Sequence, residues 1–260
     1  YDQCPRRWKH KYIDKLPDPP GPAAVLGTFA HAVLEKLYQE SPEERTVERT
    51  RTLAGDVWKA TETGNDFRSL SLDDAAQREF RWKAWTSIEG LWALEDPSQV
   101  AVDATEQRVT AQLAGVPFVG YLDRLDRSDQ GLVVIDYKTG RPPRAAHRNK
   151  PLGQVLLYAA AVEAQTGEQP VEARLLYLGK EVLETDVSSD LLNVETERLA
   201  ASWSQLEKDC MRDTFATRTG PLCGWCPYVT TCEDGEQEVR LRVDAGRVRE
   251  DAPARKALGI

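Results

Sequence analysis

The spacing of apolar positions changes along this 260-residue chain, and each change marks a different element. From Gly27, GTFAHAVLEKLYQE sets Phe29, Ala30, Val33, Leu34, Leu37 and Tyr38 at helical spacing, with Thr28 as a plausible N-cap. On that helix His31 and Glu35 share a face beside the apolar stripe. Residues 42–96 are mostly polar, anchored by Trp58, Trp82, Trp85 and Trp92, and read as two or three inserted helices. One of these starts around Ser71, where Asp73 and Asp74 suit the helix dipole. After residue 100 the period shortens: VAVDATEQRVTAQL and PFVGYLDRLD alternate as strands, SDQG is a turn, and LVVID is a third strand closing a hairpin. A helix over 151–166 opened by Pro151, a strand over 171–179 and a long helix over 188–211 follow. Antiparallel strands, then a helical crossover to another strand, predict an α/β sandwich with a mixed sheet flanked by helices. The first 20 residues are basic and aromatic and end in the helix-breaking PDPPGP; from about 234 the text reads as a charged, low-complexity tail.

Composition adds a soluble globular character, with 41% hydrophobic and 29% charged residues. No apolar run approaches the ~20 residues of a membrane span. No leader stands at the start as given, and the chain opens on Tyr1, so the expectation is a cytoplasmic protein whose first residues precede this sequence. A net charge of −8 argues against a general nucleic-acid coat protein. The charge is uneven, however. No acid falls between Tyr137 and Val162, where Lys138, Arg141, Arg144, Arg148 and Lys150 cluster, and RRWKHK forms a second basic run at Arg6–Lys11. Two such runs in an acidic chain point to a local anion site. Of five cysteines, Cys223, Cys226 and Cys232 fall within ten residues, which suggests a metal or cluster rather than a disulfide framework.

The candidate chemistry sits at strand ends. In GLVVIDYKTG an apolar run delivers Asp136, and Lys138 two residues on projects from the same face. Asp123, thirteen residues earlier in GYLDRLD, lies on the paired strand. Two carboxylates and a lysine brought together suit phosphodiester hydrolysis with Mg²⁺ or Mn²⁺, because hard oxygen ligands hold such ions and a lysine can orient water or stabilise developing charge. Gln154 and Tyr158 share a face of the following helix. Each feature alone has a bland account: solvated strand-end charges, a structural histidine, a polar rim.

Together they read G-x-x-x-H in GTFAH, G-x-x-D-R in GYLDR, then DYKTG, then Q-x-x-x-Y in QVLLY. This order resembles the RecB-like nucleases of the PD-(D/E)XK superfamily, over roughly residues 1–233. The resemblance implies a restriction-endonuclease-like core within 100–180 of a single domain, a helical insertion at 42–96, and a tail at 234–260. It implies that His31, Asp123, Asp136 and the Tyr137 carbonyl hold metal, that Lys138 is catalytic, and that Gln154 and Tyr158 position the site or the DNA strand. Cys4 in YDQCPRRW, with CGWCPYVTTC, is similar to the iron–sulfur subset that includes CRISPR-associated adaptation nucleases and the nuclease domains of RecB/AddB-type enzymes. A [4Fe–4S] cluster on Cys4, Cys223, Cys226 and Cys232 would then staple the chain ends together, with Cys210 the competitor for the fourth position. The implied activity is a DNA exonuclease acting on single-stranded DNA, in repair, recombination or defence. Arg6, Arg7, Arg124, Arg141, Arg144 and Arg148 are the candidate phosphate contacts, and Trp8 or Trp225 the candidate stacking residues. Nothing identifies a helicase partner, and no phosphate-binding G-x-x-x-x-G-K-[ST] loop is present. A non-catalytic DNA-binding subunit and a redox sensor are the rival readings.

Overall fold

A computed structural model describes residues 1–260. The elements in chain order are α1 (Pro5–Tyr12), α2 (Pro22–Gln39), α3 (Val47–Thr63), α4 (Asn65–Ser69), α5 (Asp74–Glu89), β1 (Val102–Leu113), β2 (Val116–Ser128) and β3 (Gly131–Lys138). There follow α6 (Asn149–Thr166), β4 (Glu172–Tyr177), β5 (Glu181–Asp186), α7 (Ser189–Arg212), α8 (Glu233–Asp244) and α9 (Pro253–Leu258). The chain divides into two compact units, Pro19–Ala200 and a second made of Tyr1–Asp18 with Ala201–Ile260. No helix is long and apolar enough to cross a membrane.

In the first unit a five-stranded sheet runs in the order β1-β2-β3-β4-β5. β1, β2 and β3 form an antiparallel meander, α6 carries the chain over to β4 parallel to β3, and β5 returns antiparallel. This is the expected mixed sheet, with one strand more than the sequence suggested. EVLETD carries too few apolar residues to announce β5, which lies at the sheet edge. The central strand is buried on both faces, as its continuous apolar run implies. Val133, Ile135 and Tyr137 pack with α2, α3 and α5, whereas Leu132 and Val134 pack with Val155, Leu156 and Ala159 of α6. Alternation along β3 therefore sends Asp136 and Lys138 toward the α6 side. The β2–β3 turn needs glycine at 131, where φ is +139° and an added Cβ would meet Val171 at 2.9 Å.

Helix α2 begins earlier than expected. Gly21 precedes Pro22 in the first turn, and Thr28 is a mid-helix residue whose hydroxyl donates to the Ala24 carbonyl at 3.2 Å rather than an N-cap. In α5 the cap is Asp73, which accepts from the Ala76 amide at 2.8 Å.

The second unit has its own small core of Val229, Val239 and Ala254. Trp8 stacks on Phe215 at 6.1 Å, and Tyr1 donates a hydrogen bond to Asp209. Residues 234–260, expected from sequence to be a charged tail, hold all but the first residue of α8 and the whole of α9. Their few apolar positions are spaced widely among charges, so the periodicity was hidden, and the boundary expected at 233 falls inside this unit.

Candidate active site

Helix α2, strand β2 and strand β3 meet where the β2–β3 ladder ends. The last paired residues are Arg124 and Ile135, which leaves Asp123 free of ladder contacts with β3. Leu122 and Leu125 pack on the same side, with α6, while Arg124 points into the opposite core. The strand pleat is thus irregular at Asp123. Its carboxylate takes over the ladder's role: Oδ2 accepts from the Tyr137 amide at 2.6 Å and Oδ1 faces His31 Nδ1 at 3.1 Å. The other imidazole nitrogen, Nε2, lies 3.0 Å from the Tyr137 carbonyl. Asp136 is buried, and Lys138 Nζ stands 2.6 Å from its Oδ2. Lys138 is thus the ion-pair partner of the buried Asp136 carboxylate. On α6, Gln154 donates to the Tyr158 hydroxyl at 3.0 Å. The residues singled out by the four motifs, which lie far apart in sequence, are therefore brought to one end of the sheet.

The electrostatics favour an added cation. Burial pushes the Asp136 carboxyl up, Lys138 opposes this, and Asp123 adds to it. Burial disfavours the His31 imidazolium, yet Asp123, Asp136 and the Tyr137 carbonyl outweigh it and hold the imidazole above its ordinary value. Burial also lifts the Tyr158 phenol, with Asp136 and Asp123 contributing. Two carboxylates, an imidazole and a backbone carbonyl form a donor set that suits a hard divalent ion.

Two features escaped sequence reasoning. Glu106 of β1 joins the site: one ligating atom each from His31, Glu106 and Asp123 all lie within 4.8 Å of one another. Burial raises its carboxyl, reinforced by Asp123 and Glu35 and opposed by His31. Strand alternation alone gave no reason to pick it out. The other feature is a buried ionic network behind Tyr137. Arg124 donates to Glu95 at 2.6 and 2.9 Å, to Asp126 at 2.9 Å and to the Tyr137 hydroxyl at 2.9 Å. Its guanidinium lies 4.0 Å from the Tyr38 ring centroid, and Tyr38 donates to Glu95. Arg124 is 0% exposed, so it is not a phosphate contact, which corrects the sequence expectation. The arginine of GYLDR supports the site from within.

The other basic candidates differ in setting. Arg141 and Arg144 are exposed, whereas Arg148 is engaged with Glu181 at 2.9 Å. Lys180 donates to the Thr139 carbonyl at 3.1 Å, and burial, then Arg141, lowers its pKa, so it belongs to the same basic patch. In the second unit, Arg6 donates to the Phe215 carbonyl at 2.9 Å. The stacking of Trp8 on Phe215 is a packing role.

Also within the second unit, Cys4, Cys223, Cys226 and Cys232 line one cavity with Arg6, Arg7 and Tyr228, while Cys210 is exposed and outside it. Burial raises the Cys223 and Cys226 thiols, with Arg7 opposing at Cys226. An added Cβ at Gly235 would stand 3.2 Å from Cys232 Sγ, so glycine there leaves room beside the sulfur.

The PD-(D/E)XK nuclease superfamily matches residues 1–233, and the chain belongs to this nuclease superfamily. The Gene 69 protein of Mycobacterium phage D29 is 25% identical over 259 residues, spanning 89% of this chain and 93% of that protein. Among solved structures, an exonuclease candidate from Eubacterium rectale is similar at a TM-score of 0.41 and 12% identity, over 79% of this chain and 73% of its own. SSO0001 is similar at 0.33 and 13%, over 90% and 96%.

Proposed function

We propose that this nuclease is a Mg²⁺- or Mn²⁺-dependent exonuclease on single-stranded DNA, stabilised by a [4Fe–4S] cluster. The observation that carries the reading is the buried Asp136 carboxylate paired with Lys138, at the sheet end shared with Asp123 and His31. His31, Asp123, Asp136 and the Tyr137 carbonyl would hold the divalent cation. When bound, it would lower the pKa of a water and neutralise phosphate charge. Lys138 orients the attacking water and stabilises charge developing on the phosphate. The Gln154–Tyr158 pair positions the strand being cut, and Arg141, Arg144 and Lys180 attract its backbone. The tethered Asp123 sets the backbone of Tyr137 and the ring of His31 at once.

The cluster is supported by the donor set. Four cysteines line one cavity, a donor set of four thiolates suited to such a cluster. Cys4, Cys223, Cys226 and Cys232 would be the ligands, and the cluster would supply folding energy to this unit.

The test is anaerobic purification followed by incubation with end-labelled single-stranded, duplex and flap DNA, with each metal in turn. Metal-dependent shortening of the single strand is the expected result. Binding to all three without cleavage would instead favour a non-catalytic DNA-binding subunit.

A further inference from the structure

We infer that Glu106 is a further ligand for the divalent cation, a role that no motif assigns to strand β1. This rests on the metal-dependent reading above. The strand ladder breaks where it is needed. Thr105 pairs with Arg124 and Gln107 with Leu122, leaving Glu106 and Asp123 facing each other without ladder contacts. Glu106 adopts a left-handed backbone, φ +46°, inside a strand. A non-glycine residue held there is strained and survives only where its surroundings impose it. Such breaks in a strand re-aim side chains beside active sites. The consequence here is that the Glu106 carboxylate comes within 4.8 Å of the ligating atoms of both His31 and Asp123.

Asp123 then has a carboxylate on either side, Glu106 from β1 and Asp136 from β3. Asp136 is only 5% exposed, and its Oδ2 is paired with Lys138 Nζ at 2.6 Å. Lys138 and His31 face three carboxylates at the sheet end, and Glu35 adds negative charge beside Glu106. The surplus charge is what one divalent ion neutralises, and it supplies the affinity that two carboxylates and an imidazole share with Glu106. Calcium, with its larger oxygen coordination, would also bind the carboxylates, whereas the imidazole favours Mn²⁺ over Mg²⁺.

The experiment titrates Mn²⁺ into DNA-free protein and follows free Mn²⁺ by electron paramagnetic resonance, which needs no turnover. Glu106→Gln is expected to weaken binding about tenfold or more, the range lost with supporting ligands. Asp103→Asn, a charge-matched change on the same strand, is expected to leave it within twofold. Glu106→Gly removes the carboxylate and relieves the backbone, so it should raise the melting temperature of the metal-free protein and still bind Mn²⁺ weakly. Wild-type affinity in Glu106→Gln would overturn the inference while leaving the nuclease reading intact. Absence of Mn²⁺ binding by the wild type would overturn both.

Discussion

Replacing Arg124 by methionine keeps much of its volume and removes its charge. It strips the cation from two carboxylates, Glu95 and Asp126, and a donor from the Tyr137 hydroxyl. Removing one partner of a buried ion pair costs about 3–5 kcal/mol, because the other charge remains buried. Glu95 retains some solvent contact, with 17% side-chain exposure, so about 4 kcal/mol is expected at pH 8 rather than twice that. The pH dependence discriminates this cause from simple loss of packing. Burial lifts the Asp126 carboxyl to about 6 even with Arg124 opposing. Its folded pKa lies above the unfolded value of 3.8, so the folded form binds the proton more tightly and stability falls as pH rises from about 4 to 6. Without Arg124 that pKa moves higher still. At pH 5 the variant carries Asp126 neutral, and the cost of Arg124→Met should shrink toward about 2 kcal/mol, the loss of its remaining hydrogen bonds. Urea unfolding at pH 5 and pH 8 measures both values, and the triple change with Glu95→Gln and Asp126→Asn should recover most of the loss at pH 8. A cost under about 1 kcal/mol, or one unchanged between the two pH values, would refute the reasoning.

Other outcomes follow from single contacts. Gly120→Ala would place a Cβ 2.6 Å from the Tyr158 ring, so it should cost about 1–3 kcal/mol and slow cleavage, whereas Gly55→Ala, with nothing within 4 Å, should leave cleavage unchanged. Cys4→Ala should bleach the brown chromophore of anaerobically purified protein in visible absorbance, and Cys210→Ala should retain it; the reverse would reassign the fourth ligand. Arg141→Ala and Arg144→Ala should each lower the salt slope of single-stranded DNA binding by about one, measured by fluorescence anisotropy, without changing sequence preference.

Much of the site was legible because its residues sit at predictable places on regular elements. Alternation put Asp136 and Lys138 on one face of β3, and helical spacing put His31 beside the α2 stripe and Gln154 with Tyr158 on α6. What escaped depended on departures from regularity. Glu106 is aimed by a left-handed residue within a strand, which no period reveals. Arg124 was read as a surface cation because arginine usually is one; its burial depends on Glu95 and Asp126, and Glu95 lies 29 residues away in sequence. Strand β5 and helices α8 and α9 were missed because charged residues dilute their apolar positions. Their burial is decided by what packs on them rather than by their own text.

The most direct test of the central claim compares the wild type with Lys138→Ala and Asp136→Asn in single-turnover cleavage of labelled single-stranded DNA with Mn²⁺. The wild type is expected to cut. Lys138→Ala should bind Mn²⁺ and DNA normally yet lose cleavage by about 10²-fold or more, as removal of one charge-stabilising donor does. Asp136→Asn should lose both Mn²⁺ affinity and cleavage. Cleavage at the wild-type rate in either variant would contradict the assignment of this sheet end as the active site.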